Sequence, residues 1–348
     1  MTSPPTLVSM PKVVMETILG KLNMRSIITL RKVCTTLRDF IDTNDSLPQL
    51  LDLSIYVHPS NIEVWYYAKS GMDAVDYQDQ DDNQARVTFE AHVKVLDDID
   101  YFTSFLTDLK FFVSRQKVEL KQFRVTRYFV DPEDKTTVSH RIIGEIGKIL
   151  ESRLHSGLRP LLTEELYTGV VDQDDLMKVL PFMEVKKLLS SNSYGGEYIE
   201  MDQILETEQW KNGKNLSVDN FTLDIPIEKL HHFDFVNLKI KKIEIQEILE
   251  LKKIFLATTK PKEFIFTYKT FDNSEKLLEH FGTPEIFKNI FGLETRIWKT
   301  LYSESEDSKI LEIHHSRDWI KITNLENFED KVRKIRVAAG QDLKDFLY

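Results

Sequence analysis

The residues best suited to chemistry in this sequence are two pairs of adjacent histidines, His231–His232 and His314–His315. Imidazole is a common metal ligand, so each pair raises the question of a metal site. Adjacent residues on a strand point to opposite faces, so neither pair readily holds one ion through both rings. Metal-binding spacing and partner cysteines are also missing. We therefore expect no metal site and no cofactor.

Covalent catalysis has equally little support in the sequence. The chain has no Gly-x-Ser-x-Gly elbow, and its single cysteine, Cys34, falls in an apolar helical pattern. A buried cysteine acts as a small hydrophobe, which argues against a thioester-forming enzyme, and one cysteine is too few for a zinc-type ligase module. Gly195–Gly196 predicts a turn, because the Lys-Ser/Thr of a phosphate loop does not follow it. We expect a protein without enzymatic activity.

Charge and apolar content restrict the partners. The 348 residues carry a net charge of −10, but residues 10–41 hold six basic and two acidic groups. Nucleic acid is an unsuitable partner for the acidic remainder, whereas a small basic module suits an acidic protein. No apolar run reaches the roughly 18 residues that span a bilayer. The most apolar long stretch, 96–113, contains Asp108 and three other aspartates and predicts an amphipathic helix. With one cysteine and no signal sequence, we expect a cytoplasmic and/or nuclear protein.

Residues 10–41 contain three short helical patterns that must position any functional side chains there. Val14, Ile18 and Leu22 recur at four-residue steps, and Pro11 suits the start of a helix. Asn23 or Ser26 suits the cap of a second helix, and Leu37 belongs to a third apolar face. So short a segment cannot bury all its apolar side chains by itself. The surplus must contact either the rest of the chain or another protein.

This stretch resembles an F-box, the module that docks onto the Skp adaptor of cullin-based ubiquitin ligases. Lys12 and Val13 stand where the family often has an acidic residue, and Leu37 stands where it often has tryptophan. The resemblance implies a three-helix module. We expect the adaptor-binding residues, some of which must instead hold the three helices together, to be Met10, Pro11, Val14, Ile18, Leu22, Leu30, Val33 and Leu37.

The rest of the chain alternates between helical and strand-like patterns. The strand-like runs are 121–125, 161–166, 185–189, 215–218, 236–240 and 263–268, and the helical stretches are 141–153, 174–182, 200–210 and 245–258. Such alternation predicts either a parallel-sheet domain or a solenoid of leucine-rich-repeat type. Scarce glycine and an uneven period favour a degenerate solenoid, whose strand-lined surface would bind proteins.

A second resemblance covers roughly residues 95–325. It rests on Trp210-Lys211, Leu216-Ser217-Val218, Pro226-Ile227, and the later runs 311–315 and 319–322. In order and spacing these are similar to the FTH domain that follows an F-box in an expanded nematode family, the F-box A proteins.

Together the patterns predict an α+β protein: a three-helix F-box followed by an irregular helix-strand domain resembling a degenerate leucine-rich-repeat solenoid. The expected segments are a tail (1–9), the F-box (10–50), a β-rich connection (51–94), the FTH-like domain (95–325) and a C-terminal segment (326–348). The resemblance implies a substrate-recognition adaptor that binds a Skp-family adaptor, and through it a cullin, and captures an unidentified target protein. The alternative is an interaction scaffold that never meets a ligase. Neither version binds nucleic acid or membrane.

Overall fold

The computed structural model describes residues 7–44, 47–80, 84–89, 92–128, 137–169, 172–191, 198–258, 260–271, 274–290, 292–302 and 309–326. The helices in these ranges are α1 (Lys12–Leu19), α2 (Met24–Arg31), α3 (Thr35–Thr43), α4 (Tyr101–Val113), α5 (Val138–His155), α6 (Gln173–Met177), α7 (Asp202–Leu205), α8 (Glu208–Asn212), α9 (Ile245–Ala257) and α10 (Ser274–Phe281). Short 3-10 turns occupy Leu7–Ser9, Leu180–Phe182 and Ile227–Leu230.

The strands are β1 (Leu50–Val57), β2 (Asn61–Ala68), β3 (Gly71–Gln80), β4 (Gln84–Phe89), β5 (His92–Leu96), β6 (Leu120–Arg127), β7 (Leu161–Thr168), β8 (Met183–Ser191), β9 (Tyr198–Ile199), β10 (Asn215–Leu223), β11 (Phe235–Ile243), β12 (Lys262–Phe271), β13 (Glu285–Lys288), β14 (Glu294–Tyr302), β15 (Lys309–His315) and β16 (Trp319–Glu326). Helix and sheet are thus mixed, as the α+β expectation requires. The chain divides into two compact units, 1–213 and 214–348.

The first unit is built on a sheet with strand order β8-β7-β6-β1-β2-β3-β4-β5. The neighbours from β1 to β5 pair antiparallel, whereas β1, β6, β7 and β8 pair parallel. Parallel strands need crossover connections, and α4 and α5 occupy those connections around β6. Helix α4 packs on the sheet through aromatic contacts, with Phe112 4.8 Å from Tyr66 and Phe105 5.8 Å from Tyr77 between ring centroids.

The second unit is built on a sheet with strand order β13-β14-β15-β16-β12-β11-β10. Strands β10, β11 and β12 pair parallel, and the remaining neighbours pair antiparallel. Helix α9 begins with a capping box between Glu244 and Glu247 and packs Phe255 edge-on against Phe264 at 5.1 Å. The core of this unit is therefore aromatic where the helix meets the sheet.

All six predicted strand-like runs lie inside strands, namely β6, β7, β8, β10, β11 and β12. Helices α5 and α9 are also where the sequence predicts them. Three helical predictions are wrong in extent. The helix predicted over 174–182 ends at Met177, the one over 200–210 is two short helices, and Leu96 ends strand β5 instead of starting a helix. Parallel pairing of successive strands is common to both layouts that the sequence left open.

Some expectations concern other parts of the chain or remain predictions. Gly195–Gly196 lies outside the described residues. The five-segment division remains a prediction, and the boundary between the compact units falls inside the predicted 95–325 segment. In the described ranges, no helix combines the length and apolar content needed to cross a bilayer.

Candidate functional site

Helices α1, α2 and α3 build the site that the sequence singled out. Pro11 lies at the N-cap of α1, where no amide donor is needed. Asn23 caps α2 by accepting a hydrogen bond from the Ser26 amide at 3.0 Å, one of the two caps that the sequence offered. The side chains that close the interior of this three-helix segment are Met15, Leu19, Met24, Ile27, Ile28, Leu37 and Ile41.

The predicted adaptor-binding residues do not share one environment. Met10, Pro11, Val14 and Val33 are exposed, whereas Ile18, Leu22 and Leu30 are half-buried. Val14 keeps 42% and Val33 63% of the side-chain surface accessible. Leu37 keeps only 4% and belongs to the interior that holds the three helices together. The structure thus separates seven residues available at or near the surface from one with an internal packing role.

Sequence reasoning missed two exposed apolar residues beside this surface. Val13, directly before Val14 in the chain, is 71% exposed, and Val8, six positions before Val14, is 43% exposed. An isolated exposed valine is ordinary, but Val8, Val13 and Val14 lie within seven residues of each other in the chain, and exposed apolar side chains that cluster are typical of protein–protein contact. The signal was present in the sequence, because Val13 and Val14 are apolar residues of α1 that lie off the helical face formed by Met15 and Leu19. We use the name exposed apolar patch for five residues within a seven-residue stretch, Val8, Met10, Pro11, Val13 and Val14, together with the exposed Val33 that follows α2.

The environment expected for Cys34 is wrong. Cys34 is exposed and lies at the N-cap of α3, outside the apolar face of that helix. The residue before a helix has extended backbone geometry, here φ −157° and ψ 163°, so the helical period does not extend to it. The argument against thioester chemistry that rested on a buried thiol is therefore lost. The sequence still has no Gly-x-Ser-x-Gly elbow and no second cysteine.

The three-helix segment is attached to the body of the first unit through Asp108 of α4. The Asp108 carboxylate is fully buried. Its Oδ2 lies 2.7 Å from Lys32 Nζ and accepts a hydrogen bond from Tyr77 Oη at 2.9 Å, while Arg31 Nη1 lies 3.7 Å from Oδ1. Burial is the main reason that the pKa of Tyr77 lies well above its ordinary value, and the negative charge of Asp108 is the second reason. The Tyr77 hydroxyl therefore remains a donor.

Arg31 joins this attachment to α3. Its guanidinium donates two hydrogen bonds to Asp42, at 2.7 and 3.0 Å, and lies 4.1 Å from the centroid of the Phe111 ring. Ion pairing thus occupies Lys32 and Arg31, two of the six basic groups that the sequence assigned to steering an acidic partner. The electrostatic attraction that the segment offers is weaker than its formal charge suggests.

The His314–His315 pair lies in strand β15, as the sequence argument assumed, but the His231–His232 pair does not lie on a strand, because His231 ends a 3-10 turn with φ −59° and ψ −27°. His315 is buried and its Nε2 lies 2.9 Å from Tyr268 Oη, whereas His314 is half-exposed and its Nε2 lies 3.0 Å from Glu312 Oε2. Burial lowers the pKa of His231, which is half-buried beside the exposed His232. Across the described ranges, no group of three or more His, Cys, Asp or Glu residues is arranged to hold a metal ion.

Comparison with known families agrees with this geometry. The F-box domain matches residues 7–48, which contain all three helices, and the FTH domain matches residues 145–285. The chain therefore carries an F-box domain followed by an FTH domain, as the resemblance in the sequence implied.

The chain is also similar to one particular protein, F-box A protein 224 of Caenorhabditis elegans. The two are 22% identical over 331 residues, which cover 92% of this chain and 80% of that protein. No solved structure matches the chain.

Proposed function

We propose that this protein is the substrate-recognition subunit of a cullin-based ubiquitin ligase. Its F-box would dock a Skp-family adaptor through the exposed apolar patch, with Ile18, Leu22 and Leu30 at the edge of the contact. The part that contains the FTH domain would capture the target protein. The protein would supply proximity and no covalent chemistry, by raising the local concentration of target lysines near the ubiquitin-loaded enzyme.

The observation that supports this proposal is the two-sided environment of the three helices. Their inner side is closed by residues such as Leu19 and Ile28, and α2 is attached to the body through Asp108. Val13, Val14 and Val33, by contrast, are left uncovered by the described residues. Apolar groups clustered at a protein surface favour association, since burying them releases about 25 cal/mol per Å².

We propose further that the three helices form the compact F-box expected from the sequence, and that the parallel strands are the rungs of a degenerate leucine-rich-repeat-like solenoid. The parallel pairing of β6 to β8 and of β10 to β12 supports this layout. Such repeats present extended surfaces that bind proteins. Activity in the cytoplasm or the nucleus follows from the same proposal.

The test is the affinity of the purified full-length chain for a purified Skp-family adaptor, measured by isothermal titration calorimetry. The variant is Val14→Glu combined with Val33→Glu, which places two charges in the exposed apolar patch. We expect binding to weaken at least thirtyfold, because losing a central apolar contact costs about 2 kcal/mol or more. The thermal unfolding midpoint should stay within about 2 °C, since neither side chain is buried.

A matched control is Val118→Glu, because Val118 is 51% exposed and lies in the first unit, between α4 and β6. Its affinity for the adaptor should equal that of the unaltered chain. If the double variant also binds normally, or the unaltered chain does not bind the adaptor, the docking proposal is wrong.

The alternative function is an interaction scaffold without a ligase. The contacts of Lys32, Arg31 and Asn23 with Asp108 and Asp73 favour it, because they show α2 packing on its own chain. A scaffold of this kind would show no adaptor affinity in the same titration, so one experiment separates the two functions.

A further inference from the structure

The second unit contains a cavity that the proposed function does not use. It has a volume of about 530 Å³ and is open to solvent. It lies where the end of β12, the start of β14 and the end of β15 come together. Tyr268, Phe271 and His315 form an aromatic wall, with ring centroids of Phe271 and His315 5.2 Å apart. The cavity is therefore formed by the ends of strands of the sheet.

The polar groups of this wall are already fixed. Tyr268 Oη donates to the Ser316 carbonyl at 3.0 Å and lies 2.9 Å from His315 Nε2. The Ser316 hydroxyl donates in turn to the Glu294 carbonyl at 3.0 Å, which connects β15 to the start of β14. Both Tyr268 and His315 are more than nine-tenths buried. A ligand in the cavity would thus meet side chains that are held in place before it arrives.

Positive charge predominates around the opening of the cavity. Lys269, Arg296 and Arg317 line it, and Glu294 is the one acidic residue in its lining. Glu294 accepts a hydrogen bond from Arg296 Nε at 3.2 Å. The lining has a net formal charge of +2 in a chain whose overall charge is −10. Such a concentration of cations over an apolar wall is typical of a site for negatively charged ligands.

The buried histidine lies close enough to Arg296 to be affected by its charge. Burial, the larger cause, and the charge of Arg296 together lower the pKa of His315 to about 4. His315 is therefore neutral at pH 7, and the field of Arg296 at this ring contributes to that. An anion placed in the cavity would reduce this field, since opposite charges within a few ångströms attract.

We propose that this cavity binds an oxyanion, a carboxylate or a phosphate group, through Arg296, Arg317 and Lys269. The guanidinium groups would supply forked donors to the anion, which is the geometry that arginine offers to both groups. The aromatic wall and Leu293 would contact the apolar part of the ligand that carries the group. This site is separate from the exposed apolar patch, and its existence does not depend on the ligase role.

The test uses the full-length chain with two probes, inorganic phosphate and glutarate, titrated at constant ionic strength. Binding is measured by calorimetry, and the His315 ring is followed by NMR of protein labelled with ¹³C at the histidine side chains. We expect saturable 1:1 binding of at least one probe with a shift of the His315 signal. Arg296→Ala and Arg317→Ala should each weaken binding about tenfold, as the loss of one charge-assisted hydrogen bond requires.

The matched control is Lys299→Ala, which removes one positive charge from the same strand as Arg296. Lys299 is paired with Glu285 at 2.9 Å and does not line the cavity. Its affinity should stay within about twofold of the unaltered chain. Arg317 is exposed, so its variant keeps the fold and carries the test if the Arg296 variant is unstable.

The two probes separate the two sources of the oxyanion. Binding of phosphate alone assigns the site to phosphate groups, binding of glutarate alone assigns it to carboxylates, and binding of both supports a general oxyanion site. The proposal is overturned if neither probe saturates, if His315 does not respond, or if Lys299→Ala weakens binding as much as Arg317→Ala. None of these results involves the adaptor, so they leave the proposed ligase role unaffected.

Discussion

The attachment of the F-box to the body of the first unit makes a prediction whose size follows from the geometry. Asp108→Leu removes the carboxylate that faces Lys32 at 2.7 Å and accepts from Tyr77 at 2.9 Å. The substitution leaves a buried tyrosine hydroxyl without its acceptor, at a cost of about 1–3 kcal/mol. It also leaves Lys32 without its partner.

Breaking a fully buried ion pair costs about 3–5 kcal/mol. The cost here should lie at the lower end, because the Lys32 side chain is 18% exposed and Arg31 retains Asp42. We therefore expect about 3 kcal/mol for the whole change. Asp108→Asn should cost less, since it keeps an oxygen that can accept from Tyr77.

Hydrogen exchange followed by mass spectrometry measures this locally in the full chain. A loss of 3 kcal/mol in the stability of α2 corresponds to exchange about a hundredfold faster in peptides covering residues 24–31. Peptides from β11 in the second unit provide an internal reference. The exposed Asp39 supplies the matched control, since Asp39→Leu should change stability by less than about 0.5 kcal/mol.

A compensating variant tests the reasoning more severely. Combining Asp108→Leu with Lys32→Met and Tyr77→Phe removes the ammonium group and the hydroxyl that Asp108→Leu leaves without their partner. Replacing a whole buried network with apolar groups is often neutral, so exchange in α2 should return to within about fivefold of the unaltered chain. The reasoning is refuted if Asp108→Leu behaves like Asp39→Leu, or if the triple variant is no more stable than the single one.

Two further predictions concern single side chains. In α5, a Cβ on Gly147 would lie 2.3 Å from the Lys178 carbonyl oxygen, so Gly147→Ala should lower stability by about 1–3 kcal/mol. Gly144→Ala is the matched control, because a Cβ there meets only Lys178 Cδ at 3.9 Å, and it should raise stability by up to about 1 kcal/mol. Thermal melts measure both changes, and stability changes of the same sign in the two variants would contradict this reasoning. His315 has a folded-state pKa of about 4 against 6.5 when exposed, so the unfolded chain binds the proton more readily between these values. The free energy of unfolding should therefore fall by about 3 kcal/mol as the pH drops from 6.5 to 4. His315→Gln should lack this part of the pH dependence, which thermal melts at pH 7 and pH 4.5 measure.

The sequence predicted local structure well wherever a short run of apolar residues had a clear period. Strand β11, for example, alternates buried Val236, Leu238 and Ile240 with less buried neighbours, and the pattern is legible without a structure. Strand β13 is different, because all four of its residues are exposed. It has no buried face to produce an alternation, and the hairpin of β13 and β14 was not predicted.

The roles within the candidate site depended on contacts between distant residues. Leu37 and Val33 are both apolar residues of one short segment, yet the first is buried and the second is exposed. The sequence pattern placed Asp108 on the polar face of an amphipathic helix. In the structure Asp108 is buried against Lys32, which lies 76 positions earlier in the chain. Local periodicity contains no information about such a pairing, so the attachment of the F-box could not be predicted.

The placement of that attachment has a consequence for the proposed function. An adaptor that works by proximity gains most when its two binding sites are held in a fixed geometry, because a mobile connection spreads the target over many positions. Lys32 contacts Asp108 on the side of α2 that faces α4, while Val13, Val14 and Val33 remain exposed. Docking through the exposed apolar patch would therefore leave the ion pairs intact. Asp108→Leu should then loosen the F-box without lowering adaptor affinity. A variant that loses both the F-box attachment and the adaptor affinity would show that the attachment and the exposed apolar patch form one cooperative structure.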